Sequence, residues 1–235
     1  MSEPPIRPEQ SRTHAALMDR VYRHQRHFYD LTRKYFLLGR DRLIRQLHAR
    51  PDERVVEIGC GTARNLIRMA RIYPGIQLYG LDASQVMLRT AEQAVRRAGL
   101  SERIHLVHGL AEEISPALFG ESEPFDRAIF SYSLSMIPDW SAALKTAAGA
   151  VRPEGKIHAV DFGDLAGLWR PAGCILLAWL HLFHVAPRDK LLKILESVAR
   201  DRADADLYIM AGRYAFVLEV TPSIICEIDS HSVAG

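Results

Sequence analysis

One run of the sequence, Val55 to Leu66, constrains the fold more than any other. It reads VVEIGCGTARNL, an apolar stretch that includes Glu57 and is followed by Gly59 and Gly61. β-Branched residues in a short apolar run predict a buried strand, and the pattern after the glycines predicts a helix. Glycine between them permits a sharp bend and lets a ligand approach the main chain closely. The run therefore predicts the first strand, loop and helix of a parallel α/β sheet, with a ligand site at the loop.

The spacing of the loop glycines indicates which ligand the loop holds. A dinucleotide-binding loop requires its third glycine at the position of Arg64, so pyrophosphate binding is disfavoured. S-Adenosylmethionine carries no phosphate, and its cationic amino-acid portion suits the acidic Glu57 near the end of the first strand. We expect S-adenosylmethionine as the cofactor and S-adenosylhomocysteine as its product. The expected contacts in this loop are Glu57, Gly59, Cys60 and Gly61.

The second predicted strand ends in another acidic residue. Asp82 lies 23 positions after Gly59, about where a carboxylate reaches ribose hydroxyls in nucleotide-binding α/β sheets. We expect Asp82 to bind the ribose, with Ala83 beside it. The alternative is that Asp82 only caps the helix that begins near Ser84.

The third predicted strand leads to a candidate adenine contact. The residues after it are Gly109, Leu110, Ala111 and Glu112. Leu110 stands where enzymes that use S-adenosylmethionine most often have Asp. We therefore expect adenine to contact the backbone near Ala111, with Glu112 as a weaker side-chain contact. Ala63 likewise replaces their third glycine, which is tolerable where the backbone is already helical.

Strand-like and helix-like stretches alternate after Pro51. The predicted strands are Arg54 to Ile58, Gln77 to Leu81, Ile104 to His108, Phe125 to Ser131, Lys156 to Phe162, Asp206 to Ala211 and Tyr214 to Val220. The predicted helices are Asn65 to Ile72, Ser84 to Ala98, Ala142 to Val151 and Pro187 to Arg200. Successive strand–helix units followed by a terminal strand pair predict an α/β fold of the class I methyltransferase, Rossmann-like type. Its seven-stranded sheet is mainly parallel, with an antiparallel last strand.

The N-terminal residues differ in charge from the rest of the chain. Residues 1–50 carry 11 Lys or Arg against 5 Asp or Glu, whereas the remainder carries 19 against 23. We expect a loose arm over residues 1–12 and basic amphipathic helices over residues 14–48, divided at Gly39 and capping the site. These helices either contact anionic lipid or are simply solvated. We expect the methyltransferase domain over residues 51–220 and a separate tail over 221–235.

Composition favours a soluble globular protein of the cytoplasm. The chain is 48% hydrophobic and 25% charged, and its three cysteines, Cys60, Cys174 and Cys226, form no metal or disulfide pattern. We expect no signal peptide and no membrane span, because no run reaches about 18 apolar residues. No metal is expected.

Three segments outside the glycine loop carry a more specific resemblance. They are RHFYDLTRKYFLLGRDRLI (Arg26 to Ile44), FSYSLSMIPDW (Phe130 to Trp140) and VDFGDLAGLWR (Val160 to Arg170). Together with the loop they resemble the N-methyltransferases of betaine-lipid synthesis, over about residues 14–220. The resemblance implies successive methylation of the amino group of diacylglyceryl-homoserine, which gives diacylglyceryl-trimethylhomoserine. It further implies an amino-lipid partner at a membrane surface and peripheral association with the inner face of the membrane.

The same resemblance implies contacts from the N-terminal helices. Tyr29 and Arg33 or Arg40 would close over the cofactor, and Ser131 would lie beneath its methionine portion. The alternatives are that Tyr29 belongs to the core and that both arginines are solvated.

Methyl transfer to an amine needs an in-line lone pair, a proton acceptor and stabilisation of the cationic product. We expect an aromatic contact from Tyr132, and Asp161 to orient or deprotonate the amine unless it only caps a turn. Arg170 or Arg213 is a candidate for the homoserine carboxylate.

An apolar insertion follows the fifth predicted strand, over about residues 163–187. Its sequence AGCILLAWLHLFHVA predicts either a buried helix or an interfacial helix that receives acyl chains. His181 and His184 share one helical face, but two histidines without a third ligand do not predict a metal site.

Two other functions remain compatible with these residues. One is methylation of another amine, such as phosphatidylethanolamine or a small metabolite. The other is a non-catalytic S-adenosylmethionine-binding module, because Ala63 and Leu110 depart from the commonest pattern. Nucleic acid is not expected as a partner, because Ser131-Tyr132-Ser133-Leu134 replaces the motif of nucleotide-amine methyltransferases.

Overall fold

The computed structural model describes residues 37–168, 189–202 and 204–232. The strands are β1 (Arg54–Ile58), β2 (Gln77–Asp82), β3 (Ile104–His108), β4 (Phe125–Ser131), β5 (Val151–Phe162), β6 (Ala205–Met210) and β7 (Ala215–Val220). The helices are α1 (Arg40–Gln46), α2 (Arg64–Ile72), α3 (Gln85–Arg97), α4 (Trp140–Ala150), α5 (Asp189–Asp201) and α6 (Pro222–Ser232). Two short 3₁₀ turns, Ala111–Glu113 and Pro116–Phe119, follow β3.

The strands form one sheet in the order β3-β2-β1-β4-β5-β7-β6. Its pairs are parallel from β3 to β5, whereas β7 runs antiparallel to both β5 and β6. This confirms the predicted seven-stranded, mainly parallel sheet with an antiparallel last strand. The sheet order places the carboxyl ends of β1, β2 and β4 side by side, because β1 lies between the other two.

The main difference from the predicted strands lies at the start of β5. The pattern predicts a strand from Lys156, because Pro153 lacks a donor and Gly155 interrupts the apolar alternation. In the structure β5 begins at Val151, which pairs with Phe125, and the next pair is Arg127 with Lys156. Residues 152–155, which include the proline and the glycine, therefore lie opposite a single residue of β4.

Helices cover the sheet on two faces, each with its own apolar cluster. One cluster joins α1, α2 and α3 to the sheet through residues such as Leu43, Leu66 and Leu88. The other joins α4, α5 and α6 through residues such as Leu144 and Leu192. Burying these apolar side chains supplies the main favourable free energy of folding.

The C-terminal segment contains structure that the sequence pattern did not predict. Helix α6 covers most of the predicted tail, and its Ile224 and Ile225 are buried in the cluster around α4. The first 11 residues after Thr221 are therefore part of the domain's core layer. The predicted arm and helices over residues 1–36, and residues 169–187 of the insertion, lie outside the described residues. Among the helices of the described ranges, none has the length and apolarity that crossing a membrane requires.

Candidate functional site

The carboxyl edge of the sheet brings three predicted residues together. Glu57 lies one residue from the end of β1, Asp82 ends β2, and Ser131 ends β4. Glu57 and Ser131 are almost completely buried, with 1% and 4% of their surface exposed. The predicted strand–loop–helix unit after β1 therefore opens onto a cluster of polar side chains within an otherwise apolar sheet.

Backbone conformation in the loop explains its glycines. Gly59 has φ 78° and Gly61 has φ 55°, both in the left-handed region that favours glycine. A Cβ on Gly59 would lie 2.6 Å from the Cβ of Ser133. The Ser133 hydroxyl donates to the carbonyl of Ile58 at 2.8 Å and so fixes the floor of the bend.

Ala63 does not meet the condition under which alanine would replace glycine without cost. It has φ 60° and ψ 20°, the left-handed conformation, at the residue before α2. Its methyl group is fully buried, within the cluster around α2. The chain thus uses the geometry of a glycine here and tolerates the steric cost of a Cβ, which is about 1–2 kcal/mol.

Asp82 binds the backbone of the loop and of the next helix. One carboxylate oxygen accepts from the Gly61 amide at 2.7 Å, and the other accepts from the Ser84 amide at 2.9 Å. Ser84 is the residue that caps α3, since its hydroxyl accepts from the Met87 amide at 3.3 Å. Asp82 therefore braces the glycine loop beside the strand end.

Asn65 is a site residue that the sequence reading missed. Its side-chain amide donates to Glu57 Oε1 at 2.7 Å and approaches the Ser131 hydroxyl at 3.0 Å, which links β1 to β4. Asn65 Oδ1 is buried and has no hydrogen-bond partner within the described residues. The sequence signal was present, because Asn65 occupies an inward position of α2 beside the buried Leu66 and Met69.

The remaining predicted cofactor contacts lie around the same edge. Burial raises the pKa of the Cys60 thiol well above its usual value, and the charges of Asp82 and Glu57 add to this effect. The Ala83 carbonyl lies 3.0 Å from Nε2 of His108, while Gly109, Leu110, Ala111 and Glu112 are partly exposed after β3. The Leu110 amide donates to Glu113 at 3.3 Å within the 3₁₀ turn. These residues follow His108, which pairs with Asp82 across β2 and β3, and their role in binding adenine stays a prediction.

Tyr132 is packed into the core. Its ring meets Phe162 edge to face with centroids 4.7 Å apart, and its hydroxyl donates to the Leu38 carbonyl at 2.7 Å. Burial raises the pKa of Tyr132 well above its usual value, and the Asp161 charge adds to this, whereas the Arg40 charge opposes it. Only 2% of Tyr132 is exposed. This geometry gives Tyr132 a structural role between α1 and the sheet.

Asp161 and Arg40 lie close to Tyr132 but are also buried. The Asp161 carboxylate accepts from the Ser135 amide at 3.0 Å and from the Phe162 amide at 2.8 Å. It thereby ties the segment after β4 to the end of β5. Arg40 begins α1 and is 7% exposed, which argues against the alternative of a solvated arginine, while its contact with the cofactor stays a prediction.

Arg213 is committed to two carboxylates. Its guanidinium donates to Asp164 at 2.7 Å and to Glu196 at 2.6 Å, which holds the β6–β7 turn against α5. These hydrogen bonds raise the pKa of Arg213, and they lower the pKa of Asp164. Arg213 is thus not available to a substrate carboxylate in this arrangement. Tyr29, Arg33, Arg170, His181 and His184 lie outside the described residues.

The donor set fits the ligand that the sequence predicts. Glu57 supplies a buried carboxylate for an ammonium group, and Asn65 Oδ1 supplies a buried acceptor beside it. A Cβ would fill the space at Gly59. Among the described residues no group of three or more His, Cys, Asp or Glu side chains has the arrangement of a metal site.

Comparisons with known proteins identify similar methyltransferases. Residues 55–155 match the family model described as a methyltransferase domain. The demethylmenaquinone methyltransferase of Bacillus cytotoxicus is 31% identical over 123 residues, which cover 52% of this chain and 50% of that protein. The chain thus spans about half the length of this curated relative.

Solved structures share the fold at low sequence identity. The S-adenosylmethionine-dependent methyltransferase SibL, in its apo form, has a TM-score of 0.59 and 19% identity, covering 86% of this chain and 57% of that one. A methyltransferase from Thiobacillus denitrificans in complex with S-adenosyl-L-homocysteine has a TM-score of 0.55 and 18% identity, covering 78% and 73%. The chain has the fold of S-adenosylmethionine-dependent methyltransferases.

Proposed function

Because residues 55–155 match a methyltransferase domain on a fold whose enzymes use S-adenosylmethionine, we propose that the protein is an N-methyltransferase of an amino lipid. The proposed reaction transfers methyl groups from S-adenosylmethionine to the amino group of diacylglyceryl-homoserine, up to diacylglyceryl-trimethylhomoserine. The observation that carries the substrate is the resemblance of the segments 26–44, 130–140 and 160–170 to the enzymes of betaine-lipid synthesis. Each of them lies outside the generic glycine loop.

The residues of the carboxyl edge have separate roles in this proposal. When bound, S-adenosylmethionine supplies an activated methyl group on a cationic sulfur. Glu57, held by Asn65, receives the ammonium of its amino-acid portion, and Asp82 receives the ribose hydroxyls. The backbone near Ala111 receives the adenine. These contacts fix the cofactor so that an acceptor nitrogen can align with the methyl group, which is the main requirement of the displacement.

The buried residues next to this edge support the acceptor side. Asp161 holds the amides of Ser135 and Phe162, and Tyr132 packs beneath them against Phe162. We assign both a positioning role, in which they set the shape of the segment after β4. The amine proton then leaves to water or to a group of the substrate, since a dedicated strong base is not obligatory.

A second acceptor is favoured by a specific observation. Relatives from Bacillus cytotoxicus and a Geobacillus species are named demethylmenaquinone methyltransferases; they align with 52% and 62% of the chain, at 31% and 27% identity. Demethylmenaquinone, like diacylglyceryl-homoserine, is a lipid that resides in membranes. The protein would act at a membrane surface in both cases, which is also where we propose that it is found in the cell.

One experiment tests both acceptors. The purified protein is incubated with deuterium-labelled S-adenosylmethionine and detergent-dispersed diacylglyceryl-homoserine or chemically reduced demethylmenaquinone, whose hydroquinone ring is nucleophilic, and the lipids are analysed by mass spectrometry. Successive addition of up to three labelled methyl groups to the amino lipid supports the proposal. A single methyl group on the quinone ring, with none on the amino lipid, would replace it with the second candidate. Cofactor binding without transfer to either lipid would refute both.

A further inference from the structure

A groove on the outer surface of the domain carries an unusual concentration of arginine. It lies between α2 and α3 and encloses about 680 Å³. Its lining residues are Thr62, Arg64, Ile67, Arg68, Arg71, Ile72, Thr90 and Ala94. Thr62 belongs to the glycine loop, so one end of the groove opens beside the cofactor site. We infer that this groove is a docking surface for an anionic phospholipid membrane.

The positions of the charges on α2 are unfavourable for the stability of the helix. Arg64, Arg68 and Arg71 follow one another at spacings of four and three residues, so they form a single stripe in which like charges repel. Arg64 is the first residue of α2, where the helix dipole disfavours a cation. The first turn of α2 contains no acidic residue. An anion bound from outside the helix would reduce the repulsion between these arginines.

Little of this charge is neutralised within the protein. Arg68 pairs with Asp41 of α1 at 2.8 Å, but within the described residues no ion pair is found for Arg64 or Arg71. The groove therefore has a net positive charge at an exposed position.

Aliphatic residues beside the arginines favour a membrane over other anionic partners. Ile67 lines the groove, and Ile72 is 40% exposed at its end. Basic and aliphatic side chains together suit the boundary between headgroups and acyl chains. Single-stranded nucleic acid would instead favour aromatic side chains for stacking, and the groove contains none.

The chain's own N-terminal segment is not a suitable occupant. Residues 1–36 carry seven Lys or Arg against four Asp or Glu, so an arginine-lined groove repels them. The inference deepens the proposed function, on which it rests, because both candidate acceptors are lipids. Docking through this groove would bring the loop end at Thr62 to the membrane surface.

The test measures vesicle binding without either acceptor lipid. Full-length protein is sedimented with phosphatidylcholine vesicles that contain either no phosphatidylglycerol or about one third of it, at about 0.1 M salt, where the Debye length is about 10 Å. The double variant Arg64→Gln/Arg71→Gln removes two charges from the groove. We expect it to bind anionic vesicles about 30-fold more weakly, which corresponds to about 1 kcal/mol per arginine.

The matched control is Lys193→Gln/Arg200→Gln. Both residues are exposed on α5, which packs on the opposite face of the sheet, so removing the same two charges there should change binding by less than about threefold. Circular dichroism and thermal unfolding check that each variant is folded. Equal losses in the two double variants, or none in the groove variant, would overturn the inference.

A second binding experiment tests whether the groove binds nucleic acid instead of an anionic membrane. A fluorescent duplex oligonucleotide is titrated with the wild-type protein and the groove variant at the same salt concentration. Tighter binding of the duplex than of the anionic vesicles, with a greater loss in the groove variant, would also overturn the inference. Because no acceptor lipid is present, failure here is distinguishable from failure of lipid methylation, which is measured in detergent.

Discussion

Replacing Glu57 with Gln isolates the contribution of one buried charge to cofactor binding. The carboxylate is 1% exposed and accepts from Asn65 at 2.7 Å. Glutamine preserves the size of the side chain and an oxygen acceptor for Asn65. The substitution therefore removes the charge that the ammonium of the cofactor requires and little else.

The expected loss follows from the type of hydrogen bond. A hydrogen bond to a charged group contributes about 1.5–3 kcal/mol, so the dissociation constant of S-adenosylhomocysteine should rise about 10- to 150-fold. The ligand-free Glu57→Gln protein should unfold at the same temperature as the wild type or higher, because the desolvation cost of a buried carboxylate is removed. Reduced affinity together with retained stability is the expected signature of a charge kept for binding.

Calorimetry with two ligands measures this directly. S-Adenosylhomocysteine contains the amino-acid portion, whereas 5′-methylthioadenosine lacks it, so the affinity for methylthioadenosine should change by less than about threefold. Glu53→Gln is the matched control, because Glu53 is 6% exposed, precedes the opposite end of β1 and binds Arg127 at 2.7 Å. It should lower the free energy of unfolding by about 1–2 kcal/mol, because the charge-assisted pair with Arg127 becomes a hydrogen bond to a neutral amide. Its affinity for both ligands should be that of the wild type.

Two results would refute the reasoning about Glu57. Equal weakening of both ligands would mean that the substitution disturbs the loop as a whole, so that the charge has no specific role. Unchanged affinity for S-adenosylhomocysteine would mean that Glu57 does not receive the ammonium. Either result would leave the fold assignment intact, since the fold rests on the sheet and not on this contact.

Three further predictions concern stability. Gly59→Ala should lower the free energy of unfolding, measured with urea, by about 3 kcal/mol, because the new Cβ would lie 2.6 Å from Ser133. Gly99→Ala is the control: Gly99 has φ 67° but no atom within 4 Å of the new Cβ, so the loss should be only about 1 kcal/mol. Burial lowers the pKa of His158 to about 3 from 6.5. Between these pH values the unfolded state binds more protons than the folded state does. The free energy of unfolding should therefore fall as pH falls, by up to about 1.4 kcal/mol per pH unit. His158→Gln should flatten this dependence; an unchanged slope would assign it to other groups. Arg213→Gln should lower the free energy of unfolding by about 1–2 kcal/mol, and with it Tm, and should leave the KM for lipid unchanged. A raised KM at unchanged Tm would indicate that Arg213 binds the substrate.

The sheet was predictable because its signals are local. Apolar runs bounded by glycine, proline or acidic residues mark β1, β3 and β4 with the bounds that the structure has. Helix α6 was not predicted, because its inward face is defined by packing on α4 and not by a strong periodic pattern. Ala63 shows the same limit on a smaller scale. Its left-handed backbone is imposed by the glycine loop and α2, against the preference of its own side chain.

Within the candidate site, the residues that the sequence could locate are those at strand ends. Glu57 and Asp82 follow from the strand bounds, whereas Ser131, which ends β4, was expected from the family resemblance. Asn65 and Arg213 could not be assigned in this way, because their roles depend on partners far along the chain. Asn65 meets Ser131 across 66 residues, and Arg213 meets Asp164 across 49.

The cofactor side and the acceptor side of the candidate site differ in how much of each the sheet itself supplies. The cofactor side is built from strand ends and backbone amides, so its geometry is set by the sheet and tolerates changes such as Ala63 and Leu110. Beside it, Asp161 and Tyr132 are already engaged by Ser135, Phe162 and Leu38. Selectivity for an acceptor must therefore come from groups that approach this edge without being part of the sheet. A lipid-docking groove that begins at Thr62 would contribute to this selectivity. It would hold the candidate site at a membrane surface, so that the acceptors within reach would be lipids.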